Sequence, residues 1–270
     1  MKKVCYLLLL VLTVIFAGCT KSNQVLNKIL EKKVIVIVTS PDYPPFEFID
    51  NSKTGMDKYV GADIELMKYI AKELGVELKI EVADFDTTLA TLALGTADLA
   101  ISGYTYDEDR ANNYELSNPY YNEGNQGVLV LKEDYEKYNS LEKLNTNIKI
   151  GAQSCSLQAG YVEQFLPKAT LEKFTTVPDG ITLLENGIIE GISLSEKVAK
   201  IIMDKYPNKY AFVNAFDVDV SETAMYVIAK KGEVALIEKI NEIIQKVVDN
   251  NLYSKWDEEA TIKAIELGLI

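Results

Sequence analysis

Short runs that read as buried strands alternate along this chain with segments of helical apolar spacing. The runs fall at 34–39, 77–82, 98–102, 127–131, 148–151, 191–193 and 210–213. In the segment between the first two, Ile64, Met67, Ile70, Ala71 and Leu74 share one helix face, and Gly75 follows as a stop. Strand and helix in regular succession predict mainly parallel sheets covered by helices, the α/β class. Roughly 250 of the 270 residues remain once an N-terminal leader is set aside. That is more than one hydrophobic core usually serves, so two lobes are expected. Neither an internal repeat nor a low-complexity tract interrupts the pattern.

Within this alternation, residues 98–121 (DLAISGYTYDEDRANNYELSNPYY) carry the most chemistry. An apolar run ends at Ser102 and Gly103, two polar-rich turns follow, and Arg110 stands where a helix can begin. A guanidinium where a buried strand opens into a loop sits at the crevice where open α/β sheets bind ligands. Its planar fork suits a carboxylate gripped by two parallel hydrogen bonds. The alternative is an arginine on a solvated helix face.

The N-terminus reads as a processing signal. Lys2 and Lys3 precede an apolar run from Tyr6 to Ala17, too short to span a bilayer comfortably and the right length for a signal core. The run closes on Phe16-Ala17-Gly18-Cys19, which resembles a lipoprotein signal site with Cys19 as the lipidated residue. Phe16 departs from the usual leucine, and an ordinary secretory signal cleaved nearby is the alternative. Residues 1–18 are then a signal peptide and 19–33 a polar, lysine-rich tether. The mature chain is expected to be soluble, exported, and lipid-anchored on the outer side of the cytoplasmic membrane or in the periplasm.

Of the three cysteines, Cys5 leaves with the signal and Cys19 carries lipid, so Cys155 has no partner for an intramolecular disulfide. With no histidine and one spare thiol, common zinc sites and Ser-His or Cys-His catalysis are excluded. No metal and no cofactor are expected. The 28 basic residues less Lys2 and Lys3 leave 26 against 40 acidic, or −14. Such a surface argues against nucleic acid and anionic lipid as partners.

Residues 98–124 also resemble the signature of the bacterial solute-binding proteins that feed polar amino acids to ABC importers. The match runs through Ser102, Gly103, Thr105, Arg110, Tyr120, Tyr121 and Gly124. PDYPPFEFID (41–50), residues 62–102, IKIGAQSCSLQ (148–158), LLENGIIEGISLSEKVA (183–199) and the final helices follow in the family's order. The resemblance implies a type II periplasmic-binding-protein fold: lobe one from 34–120 and 228–270, lobe two from 125–222, and a two-strand hinge near 121–124 and 223–227.

It also implies the site residues. Ser40 and Tyr43 lie in the first ligand loop, with Tyr43 and Phe85 sandwiching the ligand side chain. Gly103 offers a carbonyl to an ammonium, Tyr104 lines the wall, and Thr105 and Arg110 take the carboxylate. From lobe two, Gln153, Ser156, Leu157 and Gln158 begin a helix aimed at the same carboxylate. Two positions depart from the family. Cys155 stands where glycine is usual, a place that favours glycine's backbone freedom and is expected at the cleft rim. Ser195 stands where an aspartate or glutamate usually pairs the ligand's ammonium, and the adjacent Glu196 is expected to supply that charge.

The function implied is a monomeric, non-enzymatic receptor that captures a polar amino acid and delivers it to an ABC permease. The alternative is an enzyme on the same fold, a cyclohexadienyl or arogenate dehydratase. Its acid/base pair would have to come from Asp107 and Glu196.

Overall fold

The computed structural model describes residues 24–268; the signal segment and Cys19 lie outside the described residues. Two five-stranded sheets form the two lobes. The first is ordered Glu77–Val82, Val34–Thr39, Leu99–Ala100, Ile228–Lys230, Tyr114–Leu116. The second is ordered Thr170–Phe174, Lys149–Gln153, Gly191–Ser195, Gln126–Leu131, Tyr210–Phe216. In each, the first three strands pair in parallel and the fourth is antiparallel to both its neighbours.

The expectation of mainly parallel sheets is therefore met in strand direction and corrected in pairing: both sheets are mixed. The reversed strands explain why. Gln126–Leu131 and Ile228–Lys230 each follow a passage of the chain from one sheet to the other, marked by Tyr121–Asn122 pairing antiparallel with Ala224–Met225. The parallel strands of the two sheets end at the inter-lobe cleft. A strand that starts at the cleft has to run away from it.

The strands at 34–39 and 77–82 keep their expected bounds, while 98–102 contracts to Leu99–Ala100 and 210–213 extends to Tyr210–Phe216. Helix Ala62–Leu74 buries Ile64, Met67, Ile70, Ala71 and Leu74, and Gly75 closes it in the left-handed conformation. The C-terminal helices Val234–Asp249 and Leu252–Leu267 pack on the first lobe, where Ile240, Ile243, Ile244 and Val247 are buried.

Residues 24–32 correct the expected tether. Gln24–Lys32 is a helix whose Ile29 is 1% exposed, with Val25 and Leu26 packed on the same core. These apolar residues, one turn apart, form a stripe within a lysine-rich sequence.

Asp63, fully buried at the start of Ala62–Leu74, fixes the cleft floor. It accepts the Gly103 N–H at 2.8 Å and the hydroxyls of Tyr120 (2.9 Å) and Tyr253 (2.6 Å). One carboxylate thus ties the loop after a central strand to the edge of the hinge and to the last helix. Among the described residues no helix is long and apolar enough to cross a membrane.

Candidate functional site

A recess opens where the strand ends of the two lobes face each other. Of the residues expected to gather there, Tyr43, Phe85, Gly103, Thr105 and Arg110 line it from the first lobe. Gln153, Ser156, Leu157 and Gln158 line it from the second.

Arg110, the chain's sole arginine, is 9% exposed. Its Nη1 donates to the Thr105 carbonyl and its guanidinium lies over the Tyr104 ring, 5.1 Å from the centroid. Its Nε is buried with no hydrogen-bond partner among the described residues, and none of the ion pairs there involves it. Asp107 does not fill that gap: its carboxylate accepts the Arg110 backbone N–H at 2.8 Å, capping helix Glu108–Asn113. A buried cation with an idle donor calls for an external anion.

Two stacked aromatic pairs back the walls. Tyr43 lies on Phe46 (5.6 Å between centroids) and Phe85 on Tyr104 (5.3 Å). Tyr104 itself is not on the wall as expected. It is 1% exposed behind Phe85, with its hydroxyl bonded to Thr88. Ser40 is likewise set back; its hydroxyl donates to Asp42 at 2.7 Å and its N–H to Ser102 Oγ at 3.1 Å. Both residues position their neighbours.

In the second lobe, Ser156 caps helix Leu157–Phe165 by accepting the Ala159 N–H at 3.1 Å. Leu157 and Gln158 bring the helix's first turn, whose N–H groups have no acceptor within the helix, to the cleft wall. Gln153 is already engaged, donating to Asp42 and to the Thr175 carbonyl, both at 2.9 Å. Cys155 is exposed, not buried, with a left-handed backbone (φ 61°). It lines an outer recess that shares Arg110 with the cleft.

The Glu196 expectation fails. Ser195 ends its strand with its side chain inward, fully buried, and caps helix Glu196–Lys205. The next residue therefore points out, and Glu196 is exposed and bonded to Asn125 Nδ2 at 2.8 Å.

Three carboxylates that sequence reasoning missed line the recess instead: Asp42, Glu47 and Glu123. Burial pushes the Glu47 carboxyl well above its usual range, with Asp63 adding to the effect, while the Ser102 hydroxyl donates to it at 2.9 Å. Burial also raises Asp42 and Glu123. The signal for the first two was available: they are acids inside PDYPPFEFID, a segment too aromatic and proline-rich to be a solvated loop. Glu123, between Tyr121 and Gly124, carried no such mark.

Two sheet-bearing lobes, two chain crossings and a cleft floored by an unpaired arginine define a two-lobed ligand-binding protein. Residues 35–259 match the bacterial extracellular solute-binding proteins, family 3, and the chain belongs to that family. It is 28% identical over 265 residues to the arginine-binding extracellular protein ArtP of Bacillus subtilis, spanning 95% of this chain and 98% of that one. It is 28% identical over 228 residues to a probable histidine-binding protein of Neisseria gonorrhoeae, spanning 83% and 81%. A solved amino acid ABC transporter substrate-binding protein of Streptococcus pneumoniae, bound to L-arginine, superposes with a TM-score of 0.80 at 33% identity, covering 88% of this chain and 97% of that one. An ancestral amino acid-binding protein described as a precursor of cyclohexadienyl dehydratase does so at 0.76 and 26%, covering 87% and 98%.

Proposed function

We propose that this protein is an exported receptor that closes its two lobes on a polar amino acid and hands it to an ABC importer. The observation that carries the proposal is Arg110, a buried guanidinium with an idle Nε and no acidic partner among the described residues. The ligand's carboxylate supplies the missing charge, assisted by Thr105 and the first turn of Leu157–Phe165, and its side chain lies between Tyr43 and Phe85.

L-Arginine is the first ligand to test. An amino acid zwitterion adds one charge of each sign, whereas the cleft holds the Asp42 and Glu123 carboxylates against one guanidinium, besides a Glu47 whose burial favours its neutral form. A basic side chain offsets that excess, and proteins similar to this chain are named for arginine or hold it. The receptor acts as a monomer tethered through lipid on Cys19. It binds its ligand without transforming it, and the two carboxylates the dehydratase alternative would draw on are engaged elsewhere: Asp107 caps a helix and Glu196 faces solvent.

Thermal-shift and calorimetric screening of the twenty amino acids tests the proposal. A ligand at a hundred times its dissociation constant adds roughly 2.7 kcal/mol of stability. No shift with any of them overturns it.

A further inference from the structure

We infer that Glu123, on the hinge, is the counter-ion of the ligand's α-ammonium and replaces the acid that Ser195 lacks. This rests on the amino-acid proposal and deepens it by naming the group that selects for the amine.

The geometry brings Glu123 to the place Ser195 would have served. Tyr43 Oη donates to Glu123 Oε1 at 2.5 Å and lies 3.3 Å from Ser195 Oγ. One phenol hydroxyl thus touches both side chains. Glu123 is 4% exposed and lines the same recess as Arg110. Every partner it has there is neutral: Tyr43 on one oxygen, Gln126 Nε2 (3.3 Å) and Gln158 Nε2 (3.4 Å) on the other, and the Ser195 hydroxyl beside them. None of the ion pairs among the described residues includes it. A buried carboxylate held only by neutral donors is short of a cation, as Arg110 is short of an anion. An α-amino acid supplies both charges on one carbon.

The other two carboxylates of the cleft are less apt. Asp42 already accepts from Ser40, Gln153 and the Val177 N–H. Glu47 sits against Asp63, and burial favours its neutral form.

The source of the charge also matters. Ser195 belongs to the second lobe, whereas Glu123 follows strand Tyr121–Asn122 and donates its backbone N–H to the Thr223 carbonyl of the other crossing, at 3.1 Å. An amine held here is tied to the hinge, and Gln158 joins the second lobe to the same carboxylate.

The test uses calorimetry on the parent, Glu123→Gln and Glu196→Gln, with the twenty amino acids and with 5-guanidinopentanoate, which is L-arginine without its amine. The parent is expected to prefer L-arginine over 5-guanidinopentanoate by roughly 30-fold or more. E123Q should lose about that factor for whichever amino acids the parent binds, and bind 5-guanidinopentanoate as the parent does. E196Q should match the parent throughout. In E123Q/S195D the charge returns from the family's usual position, and most of the lost affinity should return with it. Parental amino acid affinity in folded E123Q, or an equal loss for both probes, overturns the inference. Should E123Q fail to fold, a parent that binds L-arginine and 5-guanidinopentanoate equally overturns it without any variant. A parent that binds no amino acid overturns instead the function on which the inference rests.

Discussion

The Asp42 carboxylate accepts the Gln153 side-chain amide at 2.9 Å and the Val177 N–H at 3.3 Å, so a first-lobe side chain caps a second-lobe helix across the cleft. Val177 opens helix Val177–Glu185, whose N-terminus carries partial positive charge. Ser40 holds the other Asp42 oxygen from within the first lobe. This contact exists only while the lobes are together, so it favours the closed state independently of ligand. Asp42→Asn keeps the shape and removes the charge. We expect the closed state to weaken by about 1–2 kcal/mol, and ligand affinity to fall roughly 5- to 30-fold. Calorimetry reads the affinity, and small-angle scattering should show the unliganded variant more open than the parent. An unchanged affinity would remove Asp42 from the closing machinery.

Truncating Arg110 should be more costly. With the cleft shut, the ligand carboxylate would be left buried without its cation, a loss of about 2–5 kcal/mol, or roughly 30-fold to several thousand-fold in affinity. Arg110→Lys should rescue little. The guanidinium uses Nη1 on the Thr105 carbonyl while its buried Nε is still without a partner, and an ammonium cannot reproduce that fork. Calorimetry on both variants, with folding checked by circular dichroism, decides it. A folded R110A with near-parental affinity would sink the assignment and the receptor function with it.

Glu47, Asp63 and Glu123 are all raised above their usual carboxylate values by burial. A carboxyl that is harder to ionise when folded binds more protons in the native state than in the unfolded one. Between the unfolded value and the raised folded value, stability then falls as pH rises. The unliganded protein should therefore melt higher at about pH 5.5 than at pH 8. Below about pH 4.5 the order reverses, because surface acids lowered by lysine partners, Glu73 with Lys246 and Glu185 with Lys209, lose their charge. Glu123→Gln should flatten the upper part of the profile. A melting temperature that climbs steadily from pH 5.5 to 8 would contradict this account.

The strand positions were legible because a strand with both faces buried leaves a continuous apolar run, as in 34–39. Pairing direction was not, since nothing in Gln126–Leu131 or Ile228–Lys230 marks a strand that starts at the cleft. The helix Gln24–Lys32 was hidden because its five polar residues outnumber the three that dock it. In the site, Arg110 stood out because its spacing from Gly103 and Thr105 is local. Glu123 is defined by contacts to residues 80 positions before it and 35 after it, and only the folded chain brings those together. Glu196 misled because adjacency in sequence is not adjacency in space: the step from Ser195 to Glu196 crosses from an inward strand end to an outward helix start.

Cys155 is where one departure from the family can be tested for its backbone and its position together. Its left-handed φ of 61° costs an L-residue about 1–2 kcal/mol, more than glycine's added chain entropy of roughly 0.5–1 kcal/mol. Cys155→Gly should therefore stabilise the fold by about 0.5–1 kcal/mol, read from urea denaturation midpoints at unchanged slope. The thiol is exposed, one residue before the Ser156 cap, in the recess that shares Arg110 with the cleft. A thiol reagent should label it readily with or without ligand, because the thiol is exposed even with the lobes together. Labelling that slows several-fold with ligand bound would show that the ligand, or a tighter closure than this one, covers the recess.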